Sequence, residues 1–201
     1  LDLPTMLGRK DETVERLTRG VDGLFKKHKI ARYAGHGRLS GPGKVVVETG
    51  HDTVALKARW IVIATGGAST SLPGAMLDGD RIGTSTEALA YPDVPGHLLI
   101  IGAGYIGLEL GSVWSRLGAK VTIVEYLDRI LSGMDVEIAA EAKRIFERQG
   151  LKFQLGRHVT AARVEDDHCV VECEGSDPTR CDRILVAIGR SPMTADLGLE
   201  A

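Results

Sequence analysis

The sequence predicts an α/β fold built on a doubly wound parallel sheet with an antiparallel insertion. Three observations carry this. Short β-branched runs alternate with amphipathic helical stretches between His97 and Leu155. A glycine cluster, Gly102-Ala103-Gly104-Tyr105-Ile106-Gly107, stands where a strand gives way to a helix. Two alternating segments with no helix between them, Val159–Glu165 and His168–Glu174, precede a last buried run, Arg183–Ile188. Together they describe a Rossmann-like unit interrupted by an antiparallel excursion.

The elements follow in order. Val14, Leu17, Val21 and Leu24 recur at helical spacing, so Asp11–Lys29 reads as a helix. Gly20 and Gly23 inside it suggest close packing against a neighbour. Ile30–Arg38 reads as a short strand ending in Gly35-His36-Gly37. Lys44–Glu48 and Thr53–Ala58 alternate around Gly50-His51-Asp52, the pattern of a hairpin. Trp60–Ala64 is continuously apolar and β-branched, which fits a strand buried on both faces. Leu72-Pro73-Gly74 is a boundary signal, and Ser85–Leu89 suits a short helix.

The most regular stretch comes next. His97–Ile101 is a strand, Tyr105–Leu117 a helix and Lys120–Glu125 a second strand. A second helix runs from an N-cap at Asp135 to Gln149, with Gly150 suited to the position after it. Its apolar face is Ile138, Ala142, Ile145 and Phe146, and Leu151–Leu155 is a third strand.

Composition narrows the function. The chain has 201 residues and a net charge of −2, with both signs interspersed, which gives no electrostatic reason to expect nucleic acid or an anionic membrane surface as partner. No apolar run is long enough to span a bilayer. Leu1-Asp2-Leu3-Pro4 resembles neither a signal nor a transit peptide and reads as a start within a longer sequence. The three cysteines, Cys169, Cys173 and Cys181, form no Cys-x-x-Cys pair and no zinc spacing with histidine. Cys169 and Cys173 fall on one face of a strand and read as core thiols, so no metal site is expected.

The glycine cluster gains meaning from its context: an apolar strand before it, an amphipathic helix after it, and a second apolar strand ending in Glu125. Gly102 permits the tight turn, Gly104 lets a pyrophosphate approach the backbone, and Gly107 and Gly111 allow helix and strands to pack closely. Phosphates would sit at the positive end of the helix, against its free N–H groups. Glu125 would accept hydrogen bonds from the adenosine ribose. A 2′-phosphate there would meet a like charge, which favours NAD over NADP, although Arg129 is near in sequence. Glu109 has two open readings: a solvated helix side chain, or a carboxylate near the nicotinamide.

At these residues the chain resembles a known family. Ile100–Glu109 looks like the NAD-domain fingerprint of the pyridine-nucleotide disulfide oxidoreductases, and Leu110–Glu125 is especially similar to the dihydrolipoamide dehydrogenase branch. Ile63–Gly67 with Pro73-Gly74 resembles the end of that family's first flavin-domain segment, and Leu185–Pro192 its return into the flavin domain. The resemblance implies residues 1–74 as a partial FAD-binding domain, 75–189 as the NAD-binding domain and 190–201 as the return segment. It implies NAD contacts at Gly102, Ala103, Gly104, Tyr105, Ile106, Gly107, Leu108, Glu109, Glu125, Val159 and Gly189, with Glu109 near the nicotinamide. FAD would face Gly37, Thr65, Gly66 and Gly67.

The same resemblance implies that the redox cysteine pair and the His–Glu acid/base pair belong to sequence outside this chain, which carries no catalytic residue of its own. The implied whole is a homodimeric flavoprotein that oxidises dihydrolipoamide through a disulfide and FAD, with NAD as acceptor. It would serve 2-oxo-acid dehydrogenase complexes in the cytoplasm, or in the mitochondrial matrix of a eukaryote. Alternatives are a related reductase acting on glutathione or mercuric ion, a transhydrogenase, or a non-catalytic dinucleotide-binding module.

Overall fold

The computed structural model describes residues 2–200; Leu1 and Ala201, at the outer ends of the expected segments, lie outside the described residues. In chain order the elements are α1 (Leu3–Lys27), β1 (His36–Leu39), β2 (Lys44–Thr49), β3 (Asp52–Lys57), β4 (Gly67–Ser69), β5 (Ile82–Gly83), α2 (Ser85–Ala88), β6 (His97–Ile101) and α3 (Tyr105–Leu117). There follow β7 (Lys120–Val124), α4 (Val136–Arg148), β8 (Lys152–Gln154), β9 (Val159–Glu165), β10 (His168–Cys173), β11 (Thr179–Cys181), β12 (Arg183–Val186) and β13 (Arg190–Pro192). They divide into two compact units: Ser69–Arg190 with the first few residues, and Met6–Ala68 with Ser191 onward.

The first unit is organised by a five-stranded parallel sheet of order β5-β12-β6-β7-β8. Side chains alternate between its faces. Ile100, Val121 and Ile123 point toward α3, where they meet the backbone at Gly111. Leu99, Ile101, Ile184 and Val186 point the other way and share one core with Val159, Ala162, Cys169, Val171 and Cys181. Each of these large apolar side chains stabilises the fold by about 1.5–3 kcal/mol through burial.

The layers are therefore helix, parallel sheet and a second, antiparallel sheet of order β11-β10-β9. This corrects the doubly wound expectation, which calls for helices on both faces of the sheet. The β6-α3-β7 and β7-α4-β8 crossovers advance in one direction, so right-handedness puts both helices on one face. The antiparallel insertion, not a second helix layer, covers the other.

Local chemistry sets the helix ends. Gly118, with φ 113°, ends α3. Trp114 anchors α3 by donating its ring N–H to the Ala88 carbonyl at 3.0 Å, and it packs on Tyr91. Asp135 caps α4 by accepting from the N–H groups of Glu137 and Ile138. The expected apolar face of α4 is poorly covered: Ile138 and Ile145 are exposed, and Ala139 is the buried position. The cause is position, because β8 is a three-residue strand at the edge of the sheet.

The second unit contains an antiparallel meander, β1-β2-β3. The β2–β3 register, with Thr49 opposite Asp52, leaves Gly50-His51 as a two-residue turn. Four expectations are corrected here. Within Ile30–Arg38 only the residues from His36 onward form strand, and α1 begins at Leu3 rather than Asp11. Nothing lies within 4 Å of a Cβ placed at Gly20 or Gly23, and Val14, Leu17, Val21 and Leu24 are exposed. Trp60–Ala64 forms no strand, and Trp60 and Val62 are 84% and 86% exposed. A strand buried on both faces needs neighbours on each side, and among the described residues none pairs with this run.

His97 at the start of β6 gives the first unit a pH dependence. Its Nδ1 lies 3.0 Å from the Arg180 carbonyl, which can only accept, so Nδ1 carries the proton; Nε2 then accepts from the Thr122 hydroxyl at 2.9 Å. Burial, helped by the positive charge of Lys120, holds the imidazole below its ordinary value of 6.5. A depressed histidine stabilises the fold above its unfolded value, and that stability is lost as pH falls through the folded one. Thermal melts should therefore show Tm falling from pH 6.5 downward, and His97→Gln should flatten that slope while exposed carboxylates remain ionised.

Candidate functional site

A cleft of about 610 Å³ opens at the carboxyl ends of the parallel strands. After β6 its wall is Gly102, Gly104, Tyr105 and Ile106; after β7 it is Glu125, Tyr126 and Leu127. Arg157, His158 and Val159 follow β8, and Ala187, Ile188 and Gly189 follow β12. Open α/β sheets bind ligands in this place, because loops diverge past the strand ends while the strands hold them rigidly.

The wall beside α3 is bare backbone. Gly102 has φ 109°, and a Cβ there would collide with the Ala187 carbonyl. A Cβ at Gly107 would collide with the Gly102 carbonyl. A Cβ at Gly104 would meet nothing within 4 Å, so Gly104 leaves space toward the cleft instead of satisfying a packing constraint. Gly104 is also the N-cap of α3 and has no side chain to cap it. The first bond within the helix runs from the Leu108 N–H to the Gly104 carbonyl, so the N–H groups of Tyr105 to Gly107 make none inside it. That end of α3 attracts an anion.

Glu125 sits at the end of β7 with its carboxylate pulled toward the glycine turn. One oxygen accepts from the Ala103 N–H at 2.7 Å and the other from the Leu127 N–H at 2.9 Å. The strand end is fixed further: the Glu125 N–H donates to the Gln154 carbonyl, and its carbonyl accepts from Arg157. The carboxylate is thus a preset acceptor on the cleft wall. Arg129 donates to the Ser132 carbonyl at 2.5 Å. At the outer rim Tyr126 meets His158 edge-on, with ring centroids 5.6 Å apart.

Of the residues expected at a dinucleotide site, Gly102, Gly104, Tyr105, Ile106, Glu125, Val159 and Gly189 line the cleft. Ala103, Gly107 and Leu108 are buried behind its wall, Ala103 contributing through its bond to Glu125. Glu109 is exposed on α3 and is not part of the lining. Gly37, Thr65, Gly66 and Gly67 belong to the second unit. There Gly37 pairs with Val47, the Thr65 hydroxyl donates to the Met193 carbonyl, and the Gly66 carbonyl accepts from the Met193 N–H. Tyr126, Arg157 and His158 were not anticipated: loop residues after β7 and β8 carry no periodicity, and only the strand order brings them to the cleft.

Residues 2–201 match the family described as pyridine nucleotide-disulphide oxidoreductase. The chain belongs to that family. Among its relatives, dihydrolipoyl dehydrogenase 3 of Pseudomonas putida is 49% identical over 100% of this chain and 44% of its own length. The mitochondrial dihydrolipoyl dehydrogenase of Pisum sativum is 43% identical over 100% of this chain and 41% of its own. The chain therefore spans less than half the length of these relatives. Among solved structures, the HOCl-induced flavoprotein disulfide reductase RclA of Escherichia coli superposes with a TM-score of 0.86 at 29% identity, over 100% of this chain and 46% of that one. LpdA of Mycobacterium tuberculosis shares the fold with a TM-score of 0.91 at 24% identity, over 100% and 45%.

The two glycines should separate on mutation. Gly102→Ala is expected to cost about 3 kcal/mol or more in chemical denaturation, because it combines a collision with a backbone conformation reserved for glycine. Gly104→Ala should cost about 1 kcal/mol or less, the difference between two uncharged N-caps. Equal costs would show that the Gly102 turn relaxes.

Proposed function

We propose that the cleft binds NAD(H), and that the chain is the nicotinamide-nucleotide-holding part of a flavoprotein dihydrolipoamide dehydrogenase. The observation that carries this is the pairing of Glu125 with the uncapped N-terminus of α3 across one cleft. The two offer an acceptor for ribose hydroxyls and donors for a pyrophosphate. NAD is preferred over NADP because the Glu125 carboxylate would repel a 2′-phosphate. The names of the relatives support a dihydrolipoyl substrate for the whole protein.

In this reading the first unit is the NAD-binding domain. The second is part of the flavin domain, with Gly37 and Thr65–Gly67 toward FAD. Bound NAD supplies a hydride acceptor. The chain's own residues orient it: the Tyr105–Gly107 N–H groups hold the phosphates, Glu125 fixes the adenosine ribose, and Val159 and Gly189 close the sides. Glu109, exposed one turn along α3, is assigned to the nicotinamide end on family resemblance. The whole protein is assigned a homodimeric state and a place in 2-oxo-acid dehydrogenase complexes. A cytoplasmic or mitochondrial-matrix setting is consistent with its bacterial and mitochondrial relatives.

NAD and FAD share an ADP half, so a titration must separate them. Fluorescence titration of the chain with NADH, NADPH and FAD should show NADH bound most tightly. Glu125→Ala should weaken NADH about tenfold or more, the value of a lost charge-assisted hydrogen bond, and narrow its advantage over NADPH. Tighter binding of FAD than NADH, indifferent to Glu125→Ala, would assign the cleft to flavin instead.

A further inference from the structure

We infer that Cys169 and Cys181 form a reversible redox staple that closes into a cross-strand disulfide when the protein meets a hydroperoxide. The two are register partners in the antiparallel β10–β11 pair. Residues directly opposite in such a pair stand about 4.5–5.5 Å apart at Cα and project to the same face. A disulfide accepts Cα separations of about 4.4–6.8 Å, which this register meets, while its Cβ separation of about 3.5–4.5 Å asks the opposed side chains to draw slightly together. Both thiols are free, and they are 0% and 3% exposed, side by side in the core between the two sheets. The Cys181 thiol lies 3.9 Å from the Cys169 carbonyl. Cys169 Sγ is 3.6 Å from the Asp182 carbonyl. Cys173 has no such partner: it is partly exposed and lies beyond a bulge at Glu172/Cys173.

Access comes from the edge. β11 is three residues long, the outermost strand of its sheet, and follows an exposed turn through Glu174–Pro178. Such a strand opens locally far more readily than the core behind it. Cys169 reacts first: the neighbouring Cys181 side chain and the Arg81 charge draw its thiol below the ordinary value, against burial and the Asp78 charge. Its sulfur takes one peroxide oxygen, the O–O bond breaks, and the departing hydroxide is protonated to water, leaving a sulfenic acid. The Cys181 sulfur then attacks the Cys169 sulfur, the S–O bond breaks, the S–S bond forms and a second water leaves. The dithiol loses two electrons and two protons, and the peroxide becomes two waters. The closed staple fastens β11 to β10 over a core that includes Ile101, Val124 and Val186, which also line the cleft.

The test treats the reduced 201-residue chain with hydrogen peroxide, alkylates the remaining thiols and maps the peptides by mass spectrometry. The expected result is a Cys169–Cys181 linked peptide with Cys173 alkylated, reversed by a phosphine reductant and unchanged in Cys173→Ser. Oxidised protein should also show a higher Tm and slower hydrogen exchange at Thr179–Cys181. Cys181→Ala should leave Cys169 as a sulfenic acid that dimedone traps. Recovery of Cys169 and Cys181 both alkylated, oxidation confined to Cys173, or Cys169 driven to sulfinic acid without a link would overturn the proposal, and each is read in the wild-type chain whatever the variants do.

Discussion

The turn from β6 into α3 has room for backbone and nothing else. Gly102 sits against the Ala187 carbonyl, Gly107 against the Gly102 carbonyl, and Gly111 against Ile100, Val121 and Ile123. These three approaches lock β6, β12, β7 and α3 together at backbone distance. Everything functional in the first unit hangs on that lock. It sets the uncapped end of α3 at the mouth of the sheet, and it brings the Ala103 N–H within reach of Glu125. A looser junction would leave the same residue types present but without a shared cleft.

The parts of this arrangement written in short-range pattern were legible beforehand. His97–Ile101 and Tyr105–Leu117 were expected at the bounds the structure shows, because strand and helix periods are clean there and glycines mark both junctions. Asp135 announced α4 by its own capping chemistry. What was not legible depended on neighbours. Trp60–Ala64 has the composition of a central strand, yet composition does not provide the flanking strands that would bury it. The apolar stripe of α4 marks a face, while its burial depends on how far β8 extends. Arg157 and His158 reach the cleft only through the strand order, which a linear pattern does not encode.

The two units differ in how completely they satisfy their own apolar surface. The first buries a continuous core on both faces of its sheet. The second presents Val14, Leu17, Val21 and Leu24 along α1, and Trp60 and Val62 after β3, to solvent. Exposed apolar groups on this scale mark contact surfaces rather than ordinary solvent-facing structure. The charge, free N–H groups and open space that the proposed nucleotide site requires converge in the first unit.

Amide chemical shifts of the isotope-labelled chain, followed during an NADH titration, test the account most directly. Saturable shifts should concentrate at Ala103, Tyr105, Ile106, Leu127 and His158, with β1–β3 unmoved. Shifts confined to the second unit, or none at saturating NADH, would contradict it.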